Sequence, residues 1–202
     1  MANSLRPSTN NLRKLGNFSQ MFRWGIKVTQ WPNKMSQWAN ASQDFNIRAL
    51  SASVPEKTGT SAEIQIRGNK VRQPGTAEYT SPWSCTLMET NDTFVQKMLH
   101  DWHNLYWDTN REVPTGNSSG ITQFKADLEG IIELYQLNNL DEPIYKYTLI
   151  GVYVEGYQRG DFDGSTADPM QPAISFAFDY FTEEAISADL VFPSVYADGF
   201  TS

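Results

Sequence analysis

Residues 90–108 read TNDTFVQKMLHDWHNLYWD, and the rest of the chain is organised around them. Phe94, Val95, Met98, Leu99, Trp102, Leu105 and Tyr106 recur at i, i+3, i+4 spacing, which lines apolar side chains along one helix face. The pattern predicts a helix over about residues 92–107. Asn91 or Asp92 is placed to cap its first turn, and Val113-Pro114 followed by the loop Gly116–Gly120 stops it. A helix about 24 Å long cannot bury such a stripe by itself. Phe94, Met98, Leu99, Trp102 and Leu105 are therefore expected to be core, packed on a sheet.

The flanking sequence reads as strands. Met21–Gln30 is rich in aromatic and β-branched residues and closes at Trp31-Pro32-Asn33. Trp38 falls in a polar connection. Phe45–Ser53 alternates Phe45, Ile47, Ala49 against Asn46, Arg48, Leu50. An exposed loop, Val54–Ser61, leads to Glu63–Arg67, which is expected to bury Ile64 and Ile66 before Gly68, Pro74 and Gly75 break the ladder. Tyr79–Met88 puts Trp83, Cys85 and Leu87 on one face. After the helix, Phe124–Leu137 fits either period and is read as a strand, because Gly130 weakens a helix and a β-branched pair follows it. Pro143–Gln158 returns after the Asn138-Asn139 turn, with Tyr145, Tyr147 and Leu149 on one face and Ile144, Ile150, Val152 and Val154 on the other. Ile174, Phe176, Phe178 and Tyr180 alternate in a last strand. The fold class expected is mainly β, an antiparallel barrel or sandwich flanked by one helix. Its domain spans residues 18–184, between an N-terminal arm (1–17) and a C-terminal arm (185–202).

With 202 residues and 40% hydrophobic composition, a substantial core is available. The formal net charge of −7 argues against a general nucleic-acid binder, which needs cations to neutralise phosphates. No run of about 18 apolar residues marks a membrane span, and the N-terminus lacks the apolar core of a secretory signal. The expectation is a soluble protein made in a cytoplasm. Cys85, the only cysteine, reads as a buried structural thiol.

Little in the sequence advertises chemistry. His100 and His103 sit three apart on the helix but beside its apolar stripe, with no third ligand at a telling spacing. Asp161-Phe162-Asp163-Gly164 has the oxygens of a calcium loop at the wrong spacing for one. Gly68–Gly75 lacks the Gly-Lys-Ser/Thr ending of a phosphate loop, and no Gly-x-Ser-x-Gly elbow occurs. No cofactor is expected and no enzyme; a β-barrel enzyme or metal-binding protein using His100, His103 and the Asp161 loop is the alternative of a different class.

The succession FNIRALSAS, a Pro/Gly loop, EIQIRGNKVRQPG, and YTSPWSCTLMETND running into FVQKMLHDWHNLYWD resembles the tail tube proteins of contractile-tailed bacteriophages, a family with an Hcp-like tube fold. The long segment from FKADLEGIIELYQL to EGYQRGDF, then AISFAFDYF, looks like that family's closing hairpin and last strand. The likeness covers roughly Phe45–Phe181. It implies six-membered rings whose strands join into a continuous inner barrel, with rings stacking into a tube. Implied partners are further copies of the chain, a tail sheath, baseplate and tail terminator proteins. A tape measure protein and phage DNA would fill the lumen without specific binding, and no membrane anchor is implied. The location implied is the tail of a virion assembled in the host bacterial cytoplasm. A baseplate tube initiator, or the tube of a type VI secretion or phage-like injection system, is the runner-up. On this reading Val54, Pro55, Glu56, Lys57, Lys70 and Arg72 are candidates for contacts between stacked rings. Leu190, Phe192, Tyr196 and Phe200 are candidates for arm contacts, because an apolar tail of this kind expects a partner.

Overall fold

The computed structural model describes residues 19–108, 113–114, 127–160, 165 and 168–186. Its elements run β1 (Trp24–Gln30), a 3-10 helix (Asn33–Trp38), α1 (Ser42–Arg48), β2 (Ala49–Ala52), β3 (Lys57–Ile66), β4 (Asn69–Tyr79), β5 (Trp83–Leu87) and α2 (Phe94–Tyr106). There follow a short β6 (Trp107–Asp108) and β7 (Val113–Pro114), then β8 (Gly130–Leu137), β9 (Pro143–Gln158), β10 (Ala173–Ala177) and β11 (Tyr180–Ala185).

One long strand holds the sheet together. β9 carries β8 and then β1 on one edge, while its other edge takes β11 along Tyr145–Ile150 and β10 along Tyr153–Gln158. β5 and β2 extend outward from β10. Two antiparallel half-sheets, β1-β8-β9-β11 and β9-β10-β5-β2, thus share β9 and face a common core in a sandwich-like arrangement that is not closed into a barrel.

The junction between the halves is Gly151, at φ +74, a left-handed value that favours glycine. The ladder with β8 skips it, pairing Gly130 with Val152 and Ile131 with Ile150. A bulge of one residue flips every side chain that follows. Leu149 is therefore buried before it and Val152 and Val154 after it, so the expected separation of Leu149 from Val152 and Val154 onto opposite faces does not hold. A second switch follows β10: Ile174, Phe176 and Phe178 point inward as expected, but the bend at Asp179 turns Tyr180 to solvent and Phe181 into the core.

α2 forms where the periodicity placed it and buries Val95, Met98, Leu99 and Trp102 completely. Phe94 and Leu105 pack against the same core from its border. Trp102 lies with its ring centroid 5.4 Å from Trp31 and 5.4 Å from Phe176. The first turn is capped by Asp92, whose carboxylate accepts from the Phe94 N–H at 3.1 Å. Glu89, which the sequence reading missed, accepts from Val95 at 3.2 Å and Gln96 at 2.8 Å. Burial among Trp83 and Leu87 of the same strand face pushes the Cys85 thiol up to about 12, leaving it inert.

Two predicted elements are replaced. The segment read as a strand from Phe45 to Ser53 is α1 followed by the short β2. Phe45 enters the core edge-on to Trp31 at 6.5 Å, while Ile47 stands in solvent. Arg48 anchors the helix, pairing with Asp44 at 3.1 Å and Asp92 at 2.9 Å and lying 4.3 Å above the Phe94 ring. Trp38 belongs to the 3-10 helix, with its Nε1 donating to Asp101 at 2.9 Å. The other replacement concerns residues 57–79, where one hairpin, bulged between Gly59 and Ser61, replaces the expected loop, short strand and second loop. Its ladder runs from Lys57↔Tyr79 to Ile66↔Asn69. It turns on Arg67-Gly68 at φ 50 and 86, the two-residue geometry that matches strand twist. Pro74 is tolerated because β4 pairs with β3 alone among the described residues and needs no donor on its other side.

Candidate assembly surface

The hairpin β3–β4 pairs only with itself among the described residues, and nearly all of its side chains are exposed. Ile64, expected in the core, and Val71 are partners across the ladder and are 43% and 49% exposed on one of its faces. On the opposite face Glu63 takes Lys70 at 2.6 Å and Arg72 at 3.7 Å. A two-stranded ribbon is marginal in water without something to lie on. At its base Tyr79 stacks edge-on to Phe181 at 5.3 Å. Of the six candidate ring-contact residues, Lys57, Lys70 and Arg72 are in the hairpin, Val54 is exposed beside it, Glu56 ties the base through its carbonyl to Thr80 N–H, and Pro55 is buried. Leu190, Phe192, Tyr196 and Phe200 lie outside the described residues.

The half-sheet β1-β8-β9-β11 has one apolar and one polar face. Ile26, Val28, Ile132, Leu134, Leu149 and Phe181 point to the core. The alternate positions present Lys27, Thr29, Glu133, Tyr135, Lys146, Thr148, Thr182 and Glu184, with Ile131, Ile150 and Tyr180 at one end. Two lysines there balance two glutamates. Lys146 lies 3.7 Å from Glu133 and 3.4 Å from Glu184, and Lys27 is paired in register with Glu133. Partial burial pushes the Glu133 carboxyl up, but bonds from the Tyr135 and Thr29 hydroxyls and the charges of Lys146 and Lys27 outweigh it and hold the group below its ordinary value.

The two edges of this half-sheet differ. At β1 the outward N–H groups of Ile26 and Val28 donate to Asn46 Oδ1 at 2.9 Å and Ser42 Oγ at 3.0 Å. Ser42 and Asn46 are four apart on α1, about 6 Å along a helix, close to the roughly 7 Å between alternate residues of a strand. The helix thereby replaces a neighbouring strand and blunts the edge. β11 at the other edge pairs with β9 alone among the described residues.

His100 and His103 find no third metal-binding group among the described residues. His103 stacks edge-on to Tyr157 at 5.6 Å, and burial together with the nearby His100 lowers its pKa. The Asp161–Gly164 loop lies outside the described residues.

No protein-family model matches the sequence, and no curated protein matches it significantly. Solved structures do. A chain of the anti-feeding prophage baseplate is 12% identical, with 85% of this chain and 99% of that one covered at a TM-score of 0.58. A chain of the sheath/tube terminator of PVC, an extracellular contractile injection system, is 16% identical over 85% and 99% at 0.58. A chain of the PVC sheath-tube complex is 16% identical over 89% and 99% at 0.54. The chain shares its fold with these components of contractile injection systems. Within this fold, α2 belongs to the core, while the hairpin, the polar face and the two unlike sheet edges lie at the surface.

Proposed function

We propose that the chain is a structural subunit whose copies form six-membered rings that stack into a hollow tube. The hairpin β3–β4 carries the reading: about twenty residues of ribbon with solvent on both sides have no purpose in a monomer, and a tube fold supplies the missing neighbour in the next ring. Val54, Lys57, Lys70 and Arg72 then belong to the contact between rings, with Ile64 and Val71 as its apolar centre. The polar face of β1-β8-β9-β11 lines the channel. Its lysines stand beside carboxylates rather than clustering, which denies a passing polyanion the cation groups that hold phosphates. That suits a conduit for phage DNA, within a virion tail that also contains sheath, baseplate, terminator and tape measure proteins.

Negative-stain imaging of the purified protein tests the reading. Rings and tubes are expected; a protein that stays monomeric at every concentration would refute it. Replacing Ser61–Pro74 by Asn-Gly keeps the base of the hairpin and removes its reach. Rings without tubes are expected from that variant, and tubes of ordinary length would remove the hairpin from the contact.

A further inference from the structure

Across the polar face a row of charges alternates in sign from edge to edge. Lys27 on β1 is opposite Glu133 on β8, and Lys146 on β9 bridges Glu133 and Glu184, the latter on β11. The row begins with an exposed ammonium at the edge sealed by α1 and ends with an exposed carboxylate at the edge that β11 leaves open. One chain cannot join these ends, because three strand spacings, about 14 Å, separate them.

We propose that a second copy of this chain joins them: the β11 edge of one copy docks against the β1 edge and α1 of the next, with Glu184 facing Lys27 and continuing the alternation around the ring. The inference rests on the ring reading above. A groove of about 670 Å³ marks the receiving side, bounded by Lys27 and Tyr135 on the sheet and by Asn40, Ser42, Gln43 and Asn46 at α1. Ile186 N–H donates to the Ile144 carbonyl, so alternation turns the backbone groups of Phe181, Glu183 and Ala185 away from β9 and toward the newcomer. Ser42 and Asn46 already occupy the β1 donors. The seam is consequently built from side chains, with the amides of Asn40 and Gln43 available to the β11 backbone, and the hydrogen-bonded ladder does not run unbroken from copy to copy. Because each copy gives one edge and receives at the other, the contact is heterologous and its repetition closes a ring.

Two single reversals, Lys27→Glu and Glu184→Lys, test the seam when mixed. Each variant alone sets like charges against each other at every contact and is expected to weaken ring formation about tenfold or more. In an equimolar mixture the copies can alternate, every contact again pairs Lys with Glu, and ring formation returns toward that of the native protein. Mass photometry reads ring against monomer, and melting of each variant in dilute solution confirms that the subunit is folded. Reversals that leave rings intact, or a mixture no better than its components, overturn the seam while native rings preserve the tube reading. Native protein that forms no rings overturns both.

Discussion

Trp102 is fully buried beside Trp31 and Phe176, yet its indole Nε1, like that of Trp31, has no acceptor among the described residues. Its contribution is therefore ring volume rather than polarity. Trp102→Ala should cost about 3–5 kcal/mol, whereas Trp102→Phe, which also removes the unpaired N–H, should cost clearly less; urea unfolding of the two variants measures the difference. Gly151 is demanding for another reason. A Cβ there would stand 2.7 Å from Asp179 Oδ2 on a backbone at φ +74. Gly151→Ala is expected to lose about 1–3 kcal/mol from the backbone conformation alone, visible as a lower melting temperature. Trp102 was legible in the sequence because helical spacing names a face directly. Gly151 was not, since a single glycine in a long apolar run gives no sign of where the two half-sheets exchange faces.

At the scale of elements, α2 draws its cap from outside its own first turn. Glu89→Ala leaves the Val95 and Gln96 donors unmet and should cost about 1–2 kcal/mol, read by denaturant unfolding, with Glu89→Gln recovering part of the loss. The polar face of the sheet carries a pH dependence. Glu133 has a folded value below its ordinary one, so its contribution is complete above the ordinary value of 4.5 and is lost as pH falls through the folded value. Melting temperatures taken from about pH 6 down to about pH 3 should therefore fall less steeply for Glu133→Gln than for the native chain. The strands β5, β8 and β9 were readable because alternation or β-branching coincides with real burial. α1 was not: FNIRALSAS alternates like a strand, but the pull of Phe45 toward Trp31 and the bonds from Ser42 and Asn46 to β1 are tertiary and override local preference. The hairpin misled in the opposite sense. Alternation of Ile64 and Ile66 with Glu63 and Gln65 identifies a face without saying what covers it, and Ile64 stands 43% exposed.

For the whole molecule, the sandwich and its helix followed from the pattern, whereas the two unlike sheet edges did not, because they are set by pairing and register. β11 runs to Ala185 and Ile186 still bonds to Ile144, so the sheet takes in the first residues of the segment read as an arm. Truncation after Ile186 is expected to leave the melting temperature of the dilute subunit unchanged and to lower the yield of tubes. A drop in the subunit's own melting temperature would instead place Leu190, Phe192, Tyr196 and Phe200 on its own core. The strand shared by both half-sheets also has a mechanical meaning. β9 is sixteen residues long, bonded to β8 along Pro143–Val152 on one edge and to β11 and β10 along Tyr145–Ile150 and Tyr153–Gln158 on the other. Tension along its axis strains whole rows of hydrogen bonds at once and can act only by shearing them together, while a sideways pull opens them one after another. A wall of the kind proposed above would be stiff when stretched along β9 and comparatively easy to peel across it.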